Sequence, residues 1–152
     1  MSLRIVVADD SAILREGLAG LLERRGHSIV GQADSAPALE AVVDKLRDEL
    51  PDIVITDVRM PPGMGDDGLK AAVNLRNAYP GLPVMVLSQY VAPAYAVELF
   101  DSPDAGTGYL LKDRVSEVRD FLSSLDVVAQ GGTVIDPTVA QALMLSLIHI
   151  SE

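Results

Sequence analysis

The chain has no cysteine and no tryptophan, and aromatic residues make up only 4% of its 152 positions. Without cysteine there is no disulfide, no thiolate metal site and no thiol nucleophile. Such a chain fits the reducing cytosol, and a cytoplasmic location is expected. Basic residues are scarce as well: 12 Lys and Arg stand against 22 Asp and Glu, for a net charge of −10. DNA binding draws much of its affinity from cations that displace counterions from phosphates. This polypeptide is not expected to bind DNA by itself. Long apolar runs are also missing. None approaches the ~18 residues of a membrane span, so no membrane insertion is expected. The N-terminus, Met-Ser-Leu-Arg-Ile-Val-Val-Ala, has one positive charge and soon meets two aspartates, so no signal peptide is expected.

What is present is a regular alternation. Hydrophobic residues reach 49%, enough at this length for one domain with a real core. Short apolar runs at Leu3 to Ala8, Ser28 to Ala33, Ile53 to Asp57, Pro83 to Ser88 and Tyr109 to Lys112 read as strands. The second is partly polar and is expected at an edge. Helical patterns fill the gaps. Leu14, Leu18, Leu21 and Leu22 form one stripe, closed by Gly26. Ser35 is an expected N-cap, with Pro37 in the first turn. Behind it Leu39, Val42, Val43, Leu46 and Leu50 are expected to be buried, and Pro51 to stop the helix. A third helix is predicted from about Asp67 to Tyr79, with Leu69, Ala72, Val73 and Arg76 along one side. A short one is predicted over Pro93 to Phe100, and a last one over Val115 to Ala129 with a stripe of Val118, Phe121, Leu122, Leu125 and Val128. This alternation predicts an α/β fold: a doubly wound, five-stranded parallel sheet with helices on both faces.

The strands end in chemistry. The first ends at Asp9-Asp10, the third at Asp57, the fourth at Ser88 and the fifth at Lys112. With a flavodoxin-like order 2-1-3-4-5, strands one and three are neighbours and the carboxylates converge at the switch point. Clustered carboxylates repel, so they call for a cation or raised pKa values. Mg²⁺ suits them, since it takes oxygen ligands and keeps positions for water and phosphate oxygens. Phosphoryl transfer then needs mainly positioning and charge neutralisation. Lys112 offers a mobile cation, Ser88 a hydroxyl donor, and Asp57 a nucleophile that would form an acyl phosphate. Each residue alone has a plainer reading. Asp57 could be a turn residue, Asp10 or Ser11 a helix cap, Ser88 a loop hydroxyl, Lys112-Asp113-Arg114 a solvated turn, and Tyr109 a half-buried aromatic. Their joint placement on separate strand ends favours the functional reading.

From about Leu3 to Ala129 the chain resembles the receiver domain of bacterial two-component response regulators, a CheY-like fold. The motifs are Val7-Ala8-Asp9-Asp10-Ser11, Thr56-Asp57-Val58-Arg59-Met60-Pro61, Val86-Leu87-Ser88 and Gly108-Tyr109-Leu110-Leu111-Lys112. The resemblance implies that Asp57 is the phosphoacceptor. It implies that Asp9, Asp10, Asp57 and the backbone carbonyl of Arg59 hold Mg²⁺. Ser88 would be the switch hydroxyl, Tyr109 the switch aromatic, and Lys112 the cation on the phosphoryl group. A sensor histidine kinase is the implied partner, and phosphorylation would drive a conformational switch; whether it also drives a homodimer is left open by the sequence. Three departures stand out. Lys112 precedes Asp113 where the family often has proline with a cis bond. The loop 62–68 is longer than in the smallest members. Gln89 replaces a small residue, which predicts an altered acyl-phosphate lifetime.

Residues 1–130 are thus read as the receiver domain. Residues 131–144 resemble the start of the linker in NarL/LuxR-type regulators, which leads to a helix-turn-helix domain. DNA contact and control of transcription are expected only through that domain, for which the chain ends too soon. Residues 145–152, Leu-Ser-Leu-Ile-His-Ile-Ser-Glu, have two readings. They resemble the translation of a sequencing-library transposase adapter, an artefact; they also fit a natural amphipathic helix end. Neither makes His149 a phosphorelay residue. Rival functions are a stand-alone receiver that works by protein docking and a small Mg²⁺-dependent phosphohydrolase. The latter usually carries Asp-x-Asp on one strand, which Asp9-Asp10-Ser11 does not match. An FMN-binding flavodoxin would need a Ser/Thr-Gly-rich loop after strand one, and none follows.

Overall fold

The structure is a computed structural model that describes residues 2–63, 67–89, 105–141 and 144. One parallel sheet runs through it, in the order β2-β1-β3-β4-β5-β6. Its strands are β1 (Arg4–Ala8), β2 (Ser28–Ala33), β3 (Ile53–Asp57), β4 (Val84–Ser88), β5 (Thr107–Leu111) and β6 (Thr133–Ile135). Helices α1 (Ala12–Arg24), α2 (Ala36–Lys45), α3 (Asp67–Ala78) and α4 (Val118–Ala129) connect them. No described helix is long and apolar enough to cross a membrane.

Strand alternation sorts the core onto two faces. Val6 and Ala8 of β1 join Leu39, Val43, Leu69, Ala72 and Leu75 of α2 and α3. Ile5 and Val7 point the other way, toward Leu22 of α1 and Phe121, Leu125 and Val128 of α4. The central strands β3 and β4 are buried at every residue, whereas β2 is partly exposed, as its polar sequence predicted.

The sheet has six strands, not the five predicted. Thr133-Val134-Ile135 is too short to register as a strand by its own pattern. It becomes one because α4 returns the chain to the open edge of β5. Gly131, at φ +97°, makes the turn, and the Gly132 amide donates to the Val127 carbonyl at 2.8 Å. Thr107 then donates to Gly132 at 3.1 Å and Asp136 to Tyr109 at 2.8 Å. Residues 137–141 follow as helix, and Val139 is fully buried in the core on the α2 and α3 face.

Two helices differ from their predicted extent. α2 stops at Lys45, well before Pro51. The non-helical carbonyls of Glu49 and Leu50 accept from Arg4 Nη1 at 2.9 and 2.8 Å, so leaving the helix strands no buried backbone group. In α1 only the second half covers the sheet: Leu22 is fully buried, but Leu14 is 53% exposed. The predicted caps are present at Ser35, which accepts from Ala38 N, and at Gly26, with φ +92°. The helix expected over 93–100 and the tail 145–152 lie outside the described residues.

Candidate functional site

β1 and β3 are neighbours in register, with Ala8 beside Thr56, so Asp9 and Asp57 leave the sheet side by side. Asp9 is fixed from three directions. Its amide donates to Ala33 O at 3.0 Å, its Oδ1 accepts from Ser11 N at 2.9 Å, and its carbonyl accepts from Arg15 Nη1 at 2.8 Å. Ser11 Oγ accepts from Leu14 N and caps α1. Capping therefore falls to Ser11, and Asp10 sits at the exposed rim. Ligand oxygens of Asp9, Asp10 and Asp57 all lie within 4.8 Å of one another.

Lys112 closes the cluster. It is the first residue of a 3-10 turn, Lys112–Ser116, just past β5 rather than its last residue. Its Nζ lies 2.8 Å from Asp57 Oδ2 and 3.3 Å from Asp9 Oδ2. Ser88 ends β4, next to β3, and is 2% exposed. Tyr109 is fully buried, within the core on the α2 and α3 face. Arg59 contributes its amide, which donates to the Asp57 carboxylate. Gln89, just past Ser88, is exposed.

Asp57 is only 6% exposed. Burial pushes its carboxyl above the ordinary value of 3.8; Lys112 opposes that, Asp9 adds to it, and the Arg59 amide opposes it. Burial pulls the Lys112 ammonium down, but Asp57 and Asp9 outweigh this and hold it above its usual value. Three carboxylates thus share one nearby ammonium. Hard oxygen donors with excess negative charge fit Mg²⁺ well.

Several residues that shape the site carry little or no local sequence signal. Gly68 is one: a Cβ there would sit 1.8 Å from the Asp57 carbonyl oxygen. Its amide donates to Val58 O at 2.8 Å, so α3 starts hard against the end of β3. Arg15 is another, since only the fold brings it to the Asp9 carbonyl. Arg114 and Asp136 are a third case. Their ion pair, Nε to Oδ2 at 2.7 Å, joins the Lys112 turn to the end of β6. Asp136-Pro137 had one legible feature, an Asp before a helix-opening proline.

The family model for the response regulator receiver domain matches residues 5–122. The chain is 31% identical to the response regulator GacA of Pseudomonas viridiflava over 144 residues, which is 94% of this chain and 63% of GacA. It is 28% identical to the oxygen regulatory protein NreC of Staphylococcus carnosus over 147 residues, 97% of this chain and 64% of NreC. The chain therefore spans a little under two thirds of these relatives' length. Among solved structures, a LuxR-family two-component response regulator from Aurantimonas sp. SI85-9A1 superposes with a TM-score of 0.75 at 26% identity, covering 97% of this chain and 99% of that one. With its parallel sheet, its carboxylates gathered at one sheet edge and a match over most of its length, the chain belongs to the response regulator receiver domains of two-component systems, and its relatives are of the NarL/LuxR type.

Proposed function

We propose that Asp57 accepts a phosphoryl group from the phosphohistidine of a sensor histidine kinase. The observation that carries this reading is the Asp57 carboxylate itself, buried at the carboxyl edge of β3 with Lys112 Nζ at 2.8 Å and two further carboxylates beside it. Asp9, Asp10, Asp57 and the Arg59 carbonyl would hold Mg²⁺, which when bound neutralises charge between carboxylates and phosphoryl oxygens. Asp57 attacks phosphorus in line as the P–N bond to the kinase histidine breaks and the imidazole leaves, and the new acyl phosphate carries added charge and acceptor oxygens. Lys112 moves onto one phosphoryl oxygen and the Ser88 hydroxyl donates to another. Tyr109 repacks into the space next to Ser88. Local charge thereby biases a two-state element that includes β5 and α4. Moving such an equilibrium from about 1:99 to about 99:1 takes about 5.5 kcal/mol of differential stabilisation. The switched state favours a homodimer and controls transcription through a DNA-binding output domain of the kind NarL/LuxR-type regulators carry. Residues 1–130 form the receiver in this reading, and 131–144 begin the path to that domain.

The test is labelling by acetyl phosphate in Mg²⁺. The wild-type chain gains one phosphoryl group per chain, sensitive to hydroxylamine, and Asp57→Asn gains none. Labelling that survives in that variant overturns the assignment.

A further inference from the structure

Asp136 is the most deeply buried carboxylate among the described residues, at 1% exposed, and the phosphoacceptor chemistry does not use it. It lies past β6, outside the stretch that carries the receiver motifs. Yet its hydrogen bonds lead back to the site. Its amide donates to the carbonyl of Tyr109 at 2.8 Å. Its Oδ2 accepts from Arg114 Nε at 2.7 Å and, at the long limit of 3.5 Å, from the Leu111 amide. Its Oδ1 accepts from Thr138 N at 3.0 Å, and its carbonyl from Ala140 N at 2.9 Å, so it also starts the helix at 137–141. Leu111 and Arg114 flank Lys112 on both sides. One carboxylate therefore holds the turn that aims Lys112 Nζ.

This turn has no proline to stiffen it, because Asp113 follows Lys112. The 3-10 turn also has no side-chain cap of its own. Glu117 reaches Arg114 only at 3.9 Å, on the exposed side. Burial pushes the Asp136 carboxyl up, but Arg114 and the amides of Thr138 and Leu111 outweigh it and keep the group below the ordinary 3.8, hence charged at neutral pH.

We infer that Asp136, acting through Arg114, is a positioning residue for Lys112 and ties the phosphoacceptor site to the helix that begins at residue 137. The inference rests on the phosphoacceptor reading of Asp57. Under it, a phosphoryl group that draws Lys112 toward Asp57 pulls on the turn, on Arg114 and so on Asp136. The helix at 137–141 is the element placed to receive that pull.

The experiment measures the rate of labelling by acetyl phosphate in Mg²⁺ for the wild type, Arg114→Ala, Asp136→Asn, the double variant and Arg114→Lys. Arg114 is partly exposed, so its variants report even where Asp136→Asn folds poorly. Circular dichroism and the final extent of labelling count the folded fraction; the rate constant reports the aim of Lys112. Arg114→Ala and Asp136→Asn should each label about tenfold more slowly, since small displacements of a reacting group have large effects on rate. The double variant should be no slower than the slower single one, because the two residues act as a unit. Arg114→Lys should recover part of the rate. Wild-type rates in Arg114→Ala, or slowing in the double variant equal to the product of the singles, overturns the inference. If the wild type itself is not labelled, it is the phosphoacceptor reading that fails.

Discussion

Asp57 and Arg76 are buried charges on opposite edges of one sheet, 6% and 4% exposed. The strand between those edges is short, roughly 13 Å at about 3.3 Å per residue. Their surroundings differ in kind. Arg76, on α3, donates Nε to Leu82 O at 3.0 Å, Nη1 to Thr107 Oγ1 at 3.1 Å and Nη2 to Gly106 O at 2.7 Å. These acceptors, among the described residues, are fixed and matched to the guanidinium fork. Burial lowers its pKa, but the group is locked in place. Asp57 faces one ammonium and two further carboxylates. A charge held by several fixed acceptors stabilises one arrangement; a charge crowded by like charges is ready to be neutralised. The first pins α3 to the starts of β4 and β5, and the second can respond to a ligand.

The contrast can be broken at either end. The largest effect is expected from Arg76→Met. It takes the Arg76 donors from the Leu82 carbonyl and the Thr107 hydroxyl and one of two from the Gly106 carbonyl, which keeps the Val84 amide, so the fold should lose roughly 3 kcal/mol in urea unfolding. An unchanged midpoint would show that Arg76 is not a fastener. Next comes Mg²⁺. At about a hundredfold over its dissociation constant it should add about 2.7 kcal/mol to the wild type. It should add much less to Asp57→Asn, and as much to Arg76→Met as to the wild type. Equal gains for wild type and Asp57→Asn would move the metal away from Asp57.

A smaller effect, of opposite sign to that at Arg76, is expected from Asp57→Asn without metal. The folded-state pKa of Asp57 is raised above 3.8. Protonation therefore favours the fold below that value, and the contribution is lost as pH rises through the raised value. At neutral pH the wild type holds an unfavourable charge that Asn removes, so Asn should gain on the order of 1 kcal/mol, a few degrees in Tm. The gain should shrink as pH falls through that raised value and be gone below the ordinary 3.8. A gain that grows on acidification contradicts the assigned shift. Smallest of all is the coupling between the edges. Arg76→Met and Asp57→Asn should be additive within about 0.5 kcal/mol, because their partners among the described residues do not overlap. A larger coupling would mean that the sheet transmits strain from one edge to the other.

Much of this site could be read in the residues. Strand ends that stop at Asp9-Asp10, Asp57 and Ser88 are visible because apolar runs mark buried strands and a polar residue must leave them. The parallel order follows from alternation and handed crossovers. The caps at Ser35 and Gly26 were legible because they satisfy local backbone needs. Other features were not. Leu14 fits the helical stripe of α1, yet it lies past the edge of what the sheet can cover. Leu46 and Leu50 keep the helical spacing, but Arg4 satisfies a non-helical path there. Thr133–Ile135 has too few residues for a period and becomes a strand only beside β5.

The sequence by itself determined the layers, the two-faced core and the set of strand-end groups, because each follows from local pattern and burial. Tertiary structure decided the sixth strand, the placing of Arg15 on Asp9 and the bond from Arg114 to Asp136. Those contacts join residues distant along the chain, such as Arg114 and Asp136 at a separation of 22. No periodicity spans that distance. Only the sheet, by ordering its strands, brings such groups within reach.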